Sequence, residues 1–423
     1  MKEADIAQNI LSNLDQRPLT GNVNEFLTAE KQGRNPTVRL ERGILTRTFQ
    51  MLHDEMRQTS NQASSLIGRK EFSSSTEQLD LFHNLKAETN HIKHDMDELN
   101  RQVTDPTHVT NIEIESEESG RHILPVLELD LQKPKEGEVD TRIPWVGIGG
   151  VGSVTEQNFA LWMSLALQGE RVIVLPYPER NETKPDNWRK LVRKHGKGAS
   201  LHEQVFIQAV AAYADKIGIK KVNLIGHSVG AEVVIDMAMQ AHPAVKINHV
   251  IAVEPVGFQG KNLLHNSRDF AFSQAKLTKA DQEAWIKMVE QGKENKPPTM
   301  FDWLLFAQIS GEKVFTPDNL ARVQNTGKFQ IYVGEQSPVV NVEKIKEITQ
   351  KIQPDNTTCL PEVFQVEGAN HDSLVTHGMG FSRVLLENLQ SETPSSDDIH
   401  ELSINDMESS VAEHILKSII KTL

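Results

Sequence analysis

Residues 222–241 read V-N-L-I-G-H-S-V-G-A-E-V-V-I-D-M-A-M-Q-A, and this stretch decides the fold. The apolar run at its start predicts a buried strand, and the segment Ala231–Ala241 predicts a helix. Between them stands the pattern G-x-S-x-G, with Ser228 at the point of the turn. Glycines are needed on both sides of such a strained turn because side chains there would clash. The stretch therefore predicts a strand, a sharp turn and a helix, with a serine at the turn.

The composition of the 423-residue chain is that of a globular protein and argues against several functional classes. Hydrophobic residues make up 38% and charged residues 24% of the chain, and the net charge of −13 argues against a nucleic-acid partner. The single Cys359 rules out an intramolecular disulfide and a cysteine-only zinc site. Residues 1–18 lack the apolar core of a signal peptide, and no run approaches the roughly 18 apolar residues of a transmembrane helix. We therefore expect a cytoplasmic protein or one secreted by a non-classical route.

Strands and helices alternate on both sides of the serine turn. Two strands with a polar turn between them predict a β-hairpin, and the later strands are separated by helical segments such as 156–167 and 201–217. Apolar strands that alternate with helices predict a parallel sheet covered on both faces. The predicted strands are 108–115, 123–131, 143–148, 170–176, 221–225, 248–253, 329–333 and 362–366.

Over about residues 108–390 the chain resembles the α/β-hydrolase superfamily of serine esterases and lipases. Three motifs carry this resemblance: I-G-H-S-V-G-A at 225–231, V-G-I-G-G-V-G-S at 146–153 and E-G-A-N-H-D at 367–372. The stretch G-E-R-V-I-V-L-P-Y-P at 169–178 looks like the fourth strand of the family. The resemblance implies an α/β-hydrolase fold, a mostly parallel eight-stranded sheet with helices on both faces.

A serine hydroxyl is a poor nucleophile until a base takes its proton, so Ser228 needs a histidine. His371 follows the last predicted strand, in the loop G-A-N-H-D. The small residues before it would allow a tight loop that turns the imidazole back toward the serine. We therefore predict that Ser228 and His371 form a catalytic pair.

The negative charge that develops on the substrate oxygen needs two backbone N–H donors. One is expected from Val229, directly after the serine, and the other from Gly150 or Val151 in the glycine-rich turn after the third strand. The turn 149–153 could also be read as a phosphate-binding loop. It lacks both the G-x-G-x-x-G spacing and the lysine of a nucleotide loop, which disfavours that interpretation.

The third member of the predicted triad departs from the pattern of the family. Members most often carry an aspartate after the seventh strand, but here the string is G-E-Q-S-P, with Ser337 in that place. Two carboxylates are candidates: Glu254, which ends the sixth strand, and Glu335, two residues before Ser337. We favour Glu254 because it lies at the carboxyl edge of the sheet, where catalytic groups gather. A surface or capping glutamate is the alternative for Glu254.

These residues predict a serine hydrolase of carboxylic esters that works through an acyl-enzyme on Ser228, with no metal or organic cofactor. Ser337 in the acid position motivates an alternative, a catalytically weak protein of the hydrolase fold that binds a partner or ligand. A third interpretation is acyl transfer to an alcohol other than water.

Two segments bear on the substrate. The segment at about 260–326 is too long for a crossover, and the family inserts a helical lid here; an ordinary surface elaboration is the alternative. Its apolar residues over 301–306 would form a wall for an acyl chain. Residues 180–197 carry seven basic side chains, which would attract an anionic lipid surface, although a solvated helix face is the usual explanation. We therefore expect a lipid, phospholipid or small ester substrate, with peripheral membrane contact through the basic segment.

The two ends of the chain carry no visible chemistry. Residues 1–105 predict a helical hairpin, which either packs against the hydrolase domain at 106–390 or binds a protein partner. Residues 391–423 predict a polar linker and an amphipathic tail. Such a tail resembles the translocation signals of type IV-secreted bacterial effectors, several of which are lipase-like hydrolases; a tail helix that docks on the core is the alternative.

Overall fold

The structure is a computed structural model. It describes residues 61, 75–104, 108–116, 120–134, 140–149, 159–175, 207–240, 243–258, 315–324, 326–337, 339–355, 357–371, 373–391, 400–404 and 407. Several predicted features lie outside these ranges: residues 260–314 of the lid, the basic segment 180–197 and residues 408–423 of the tail.

One sheet organises the described part of the chain. Its strands are β1 (Val109–Ser116), β2 (Gly120–Leu129), β3 (Trp145–Ile148), β4 (Val172–Leu175), β5 (Lys221–His227), β6 (Lys246–Val253), β7 (Lys328–Gly334), β8 (Pro361–Glu367) and β9 (His400–Ser403). In space they run β1-β2-β4-β3-β5-β6-β7-β8-β9. β2 is antiparallel to both β1 and β4, and the other neighbouring pairs are parallel.

The order of the first eight strands is that of the α/β-hydrolase fold. An antiparallel hairpin leads into the sheet, β3 and β4 exchange places relative to the chain, and β5 to β8 then follow one another in parallel. This arrangement confirms the predicted fold class. Because the parallel strands share one direction, their carboxyl ends meet at one edge, where Ile148 pairs with Gly226 and His227 with Val253.

Helices cover both faces of this sheet. Those in the described ranges are α1 (Ser75–Thr104), α2 (Phe159–Leu167), α3 (Gln208–Lys216), α4 (Val229–Gln240), α5 (Pro317–Leu320), α6 (Val342–Thr349), α7 (Ser373–Thr376) and α8 (Gly378–Gln390). One hydrophobic core joins α3, α4 and α6 to the sheet, and a second joins α1, α2 and α8 to the opposite face. No helix in the described ranges has both the length and the hydropathy needed to cross a bilayer.

The two cores explain why the central strands read as continuous apolar runs. Successive side chains of a strand point to opposite faces. Leu224 accordingly enters the core with α4, while its neighbour Ile225 enters the core with α2. Val250 and Ile251 of β6 divide in the same way. Both faces are therefore buried, as the alternation of strands and helices predicted.

Helix α1 packs against the hydrolase fold through β2 and α2. Leu85, Met96, Leu99 and Val103 are buried on the inner side of the helix, as the three-and-four spacing of these residues requires. Near the end of α1, the amide of Gln102 both donates to and accepts from the backbone of residue 130, at 2.8 and 3.0 Å. This 30-residue helix of the N-terminal region thus packs against the hydrolase fold, and a protein partner for the region stays a prediction.

The sheet carries a ninth strand that the sequence did not predict. β9 follows the polar linker and pairs in parallel with β8, and the His400 ring lies 4.8 Å from that of Phe364. Farther on, Met407 is fully buried against Gly380 of α8. The prediction of eight strands did not include β9, because H-E-L-S has neither an apolar run nor a clear alternation of apolar and polar residues. Its strand conformation depends on pairing with β8.

Candidate active site

The serine turn lies between β5 and α4. Ser228 has a φ of 56°, in the left-handed region that side chains rarely adopt. A Cβ at Gly226 would overlap the carbonyl oxygen of Gly230, and one at Gly230 would overlap the carbonyl oxygen of Ile148. Both glycines of the pentapeptide are therefore required by backbone contacts, and the turn presents Ser228 at the carboxyl edge of the sheet.

The loop after β8 brings His371 to the serine. The Oγ of Ser228 lies 3.1 Å from Nε2 of His371, within hydrogen-bond range. The imidazole is 2% exposed, whereas Ser228 is partly exposed. Hence 143 residues of chain separate two groups that meet in the folded protein.

The other nitrogen of the imidazole faces a carboxylate. Nδ1 of His371 lies 3.0 Å from Oε2 of Glu254, the residue that follows β6. A carboxylate can only accept a hydrogen bond, so Nδ1 carries the proton and donates a hydrogen bond to Glu254. Nε2 is then left without a proton and accepts the hydroxyl hydrogen of Ser228. The three side chains form a continuous hydrogen-bonded row.

Glu254 is fully buried, and burial raises the pKa of its carboxyl group above the ordinary value. Hydrogen bonds from His371, Ser337 and the backbone of Gly334 act in the opposite direction and favour the charged form. The hydroxyl of Ser337 donates to Oε2 over 2.5 Å, and the N–H of Gly334 donates to Oε1. The buried carboxylate is thus surrounded by donors.

The second candidate acid has a different position. Oε2 of Glu335 accepts a hydrogen bond from the N–H of Gly368 over 3.0 Å. Gly368 has a φ of 74° and begins the loop that carries His371. Glu335 therefore supports the backbone of this loop, whereas Glu254 contacts the imidazole itself.

The loop with His371 is held by several further hydrogen bonds. Nε2 of His227 donates to the carbonyl oxygen of His371 over 3.0 Å, so the residue before Ser228 contacts the backbone of His371. The N–H of Gln336 donates to the carbonyl of Ala369 over 2.8 Å. These contacts connect the ends of β5, β7 and β8 and fix the imidazole relative to the serine turn.

One of the two predicted oxyanion donors lies in the described residues. Val229 is the first residue of α4, and the first N–H groups of a helix have no acceptor within it. The N–H of Val229 therefore lies at the serine turn, and its role as an oxyanion donor stays a prediction. Val151, the other predicted donor, lies outside the described residues. Gly230 packs against Ile148 and Gly149, so the segment that leads to Val151 starts beside the turn.

The structure brings the predicted residues Ser228, His371 and Glu254 together, and it holds two further contacts that the sequence did not predict. The bond from His227 to the backbone of His371 had no signal in the sequence. Ser337 was noted because it replaces an expected aspartate. That substitution was itself the signal, because its hydroxyl contacts Glu254.

No family model and no curated protein matches this chain. Among solved structures, the naproxen esterase of Bacillus subtilis is similar at 12% identity and a TM-score of 0.42, over 75% of this chain and 99% of that one. The enol-lactonase of Burkholderia xenovorans LB400 is similar at 15% identity and a TM-score of 0.42, over 64% and 97%. The monoacylglycerol lipase of Paleococcus ferrophilus is similar at 14% identity and a TM-score of 0.43, over 63% and 98%. At this level of likeness the three enzymes say nothing about the substrate of this chain.

Proposed function

We propose that this protein is a serine hydrolase that cleaves carboxylic esters. The observation that carries the proposal is the hydrogen-bonded row of Ser228, His371 and Glu254, at 3.1 and 3.0 Å, beside a helix N-terminus. A nucleophile, a base and a group that orients the base are the parts that acyl transfer requires. Their convergence from three separate strand ends supports a catalytic rather than a structural role.

In the first step Nε2 of His371 takes the hydroxyl proton of Ser228 as Oγ attacks the ester carbonyl. The carbonyl oxygen becomes negative and accepts two hydrogen bonds, one from the N–H of Val229 and one from a donor in the turn that contains Val151. The carbonyl then re-forms, the bond to the alkoxy oxygen breaks, and His371 returns the proton to the leaving alcohol. Ser228 now carries the acyl group.

In the second step water attacks the acyl-enzyme. His371 accepts a proton from the water, whose oxygen bonds to the acyl carbon, and the proton passes to Oγ of Ser228 as the ester to the enzyme breaks. The carboxylate of Glu254 holds the imidazole in the required tautomer and stabilises the imidazolium. The products are a carboxylic acid and a regenerated serine.

The alternative of a catalytically weak binding protein depended on Ser337 in the place of the usual acid. The contact between Glu254 and Nδ1 of His371 argues against this alternative, because a carboxylate lies at the imidazole. Acyl transfer to an alcohol would use the same residues. Analysis of the products separates transfer from hydrolysis.

We further propose a lipid or phospholipid acyl ester as the substrate. The support is the apolar stretch 301–306 and the basic segment 180–197, which would face an acyl chain and an anionic headgroup or membrane surface. Hydrolysis rates for p-nitrophenyl esters of graded chain length, and for vesicles of anionic and neutral phospholipids, test this point. A preference for the shortest chains with no action on vesicles would contradict it.

Labelling by a fluorophosphonate probe, which captures activated serines, tests the reaction itself. We expect the wild type to be labelled and the Ser228→Ala variant to be unlabelled, with kcat lowered by roughly 10⁴- to 10⁶-fold. Ser382→Ala is a matched control, because it deletes a buried serine hydroxyl that donates to the carbonyl of Met379 within α8. An unlabelled wild type, or labelling that survives Ser228→Ala, would refute the proposal.

A further inference from the structure

Ser337 has a defined hydrogen-bond orientation. Its Oγ lies 2.5 Å from Oε2 of Glu254 and 3.2 Å from the backbone nitrogen of Val340. The N–H of Val340 can only donate, so the hydroxyl accepts there. Its single proton therefore points to the carboxylate of Glu254.

The turn that holds Ser337 binds both oxygens of Glu254. It spans residues 334–337, and the N–H of Ser337 closes it by donating to the carbonyl of Gly334 over 3.1 Å. The first residue of the turn donates its N–H to Oε1, and the last donates its hydroxyl to Oε2. One four-residue turn thus supplies a donor for each carboxylate oxygen.

Glu254 needs such support. Its backbone has a φ of 53°, and it precedes Pro255, which further restricts its conformation. Its side chain has three rotatable bonds and must stop with Oε2 3.0 Å from Nδ1 of His371. Since Oε2 accepts from both Ser337 and His371, a shift of this oxygen away from Ser337 changes its distance to the imidazole.

We infer that Ser337 is a positioning residue: its hydroxyl fixes Oε2 of Glu254 against Nδ1 of His371, and thereby keeps the imidazole oriented toward Ser228. The inference rests on the proposed function insofar as it concerns catalysis. Ser337 does not contact the reacting atoms, and it acts only through Glu254. The serine that replaces the expected aspartate is thus a working part of a triad whose acid comes from β6.

The Ser337→Ala variant removes the donor and leaves Glu254 and His371 in place. We expect kcat to fall by about ten- to hundredfold, the range of one hydrogen bond to a charged group, with KM unchanged. Ser337→Thr retains the hydroxyl and should keep most of the wild-type kcat. Ser382→Ala, which deletes a buried hydroxyl that donates to the carbonyl of Met379 within α8, should have wild-type kcat. Equal losses in the Ala and Thr variants would contradict the inference, as would an unchanged kcat in Ser337→Ala.

A spectroscopic measurement separates this inference from the proposed function. The proton between Nδ1 of His371 and Glu254 gives a far-downfield NMR resonance, which can be recorded in the inactive Ser228→Ala background. We expect Ser337→Ala to shift or broaden this resonance and Ser337→Thr to preserve it. A resonance that is unchanged in Ser337→Ala would overturn the role of Ser337, whereas failure of the proposed function would appear as a wild type that the fluorophosphonate does not label.

Discussion

Two neighbouring strands end in the same unusual way. Ser228 follows β5 with a φ of 56°, and Glu254 follows β6 with a φ of 53°. Each residue donates its N–H to the next strand, Ser228 to the carbonyl of Val253 over 2.9 Å and Glu254 to that of Tyr332 over 2.8 Å. In both cases the hydrogen bonding between neighbouring strands continues for one residue past the end of the strand, while the left-handed backbone of that residue redirects its side chain. The two turns are therefore geometric counterparts at the edge of one sheet.

Their surroundings differ. At the turn after β5, backbone atoms of β3 and α4 lie so close that two positions must be glycine. At the turn after β6, the close neighbours of Glu254 are hydrogen-bond donors. The nearby Gly257 faces the ring of Phe315, and a Cβ at this position would lie 3.1 Å from the ring. The first turn is held by steric fit and the second by polar contacts. Steric fit leaves a recognisable sequence pattern, and polar contacts from distant segments do not.

The largest expected effect is the loss of stability when a methyl group is added at a glycine of each turn. Gly230→Ala places a Cβ into the carbonyl of Ile148, so β3 and α4 must move apart, and we expect a loss of more than about 4 kcal/mol in unfolding free energy or no folded protein. Gly257→Ala meets a side chain that can move and a φ of 95°, which should cost about 1–3 kcal/mol. Urea unfolding followed by circular dichroism measures both. Equal losses would contradict the distinction between the turns.

The same distinction explains what the sequence could and could not predict. The glycines at 226 and 230 and the apolar runs predict β5, α4 and the other strands of the sheet except β9 to within a few residues, because these features reflect local sterics and burial. For the acid of the triad, the sequence offered Glu254 and Glu335 and only favoured Glu254. The choice depends on contacts between residues about 80 positions apart in the chain, such as that between Ser337 and Glu254. Both carboxylates contact the segment 368–371, Glu254 at the imidazole of His371 and Glu335 at the backbone of Gly368.

The second prediction tests the roles of these two glutamates by an isosteric change. In Glu254→Gln the side chain can offer an N–H to Nδ1 of His371, which favours the wrong imidazole tautomer. We expect kcat to fall by about 10⁴-fold, the size of effect known for such a substitution in a triad. In Glu335→Gln the amide oxygen can still accept the N–H of Gly368, so we expect kcat to change by less than about tenfold.

Steady-state kinetics on one p-nitrophenyl ester compares the two variants, with fluorophosphonate labelling rates as an independent measure. Both proteins should retain the wild-type fold by circular dichroism, so that a loss of activity reports on the site. Full activity in Glu254→Gln together with inactivity in Glu335→Gln would reverse the assignment of the acid.

The smallest predicted effect is the change in unfolding free energy when Ser228 or Glu254, the left-handed residue of each turn, is replaced. Ser228 occupies a conformation that glycine adopts freely, so Ser228→Gly should raise the unfolding free energy by about 1 kcal/mol. The substitution adds or removes no charge, so the gain should vary less between pH 4 and pH 8 than the effect of a substitution at Glu254. The cost at Glu254 is electrostatic instead, because burial raises the pKa of its carboxyl group above the ordinary 4.5.

A raised pKa means that the folded state binds more protons than the unfolded state between pH 4.5 and the folded pKa, so stability falls as pH rises through that window. Above the window the cost of the buried charge is fully present, and Glu254→Gln removes it. We therefore expect Glu254→Gln to be more stable than the wild type at pH 8, with a gain that shrinks toward pH 4. Urea unfolding across this pH range measures the difference, and a gain that is independent of pH would show that the cost at Glu254 is conformational, as at Ser228.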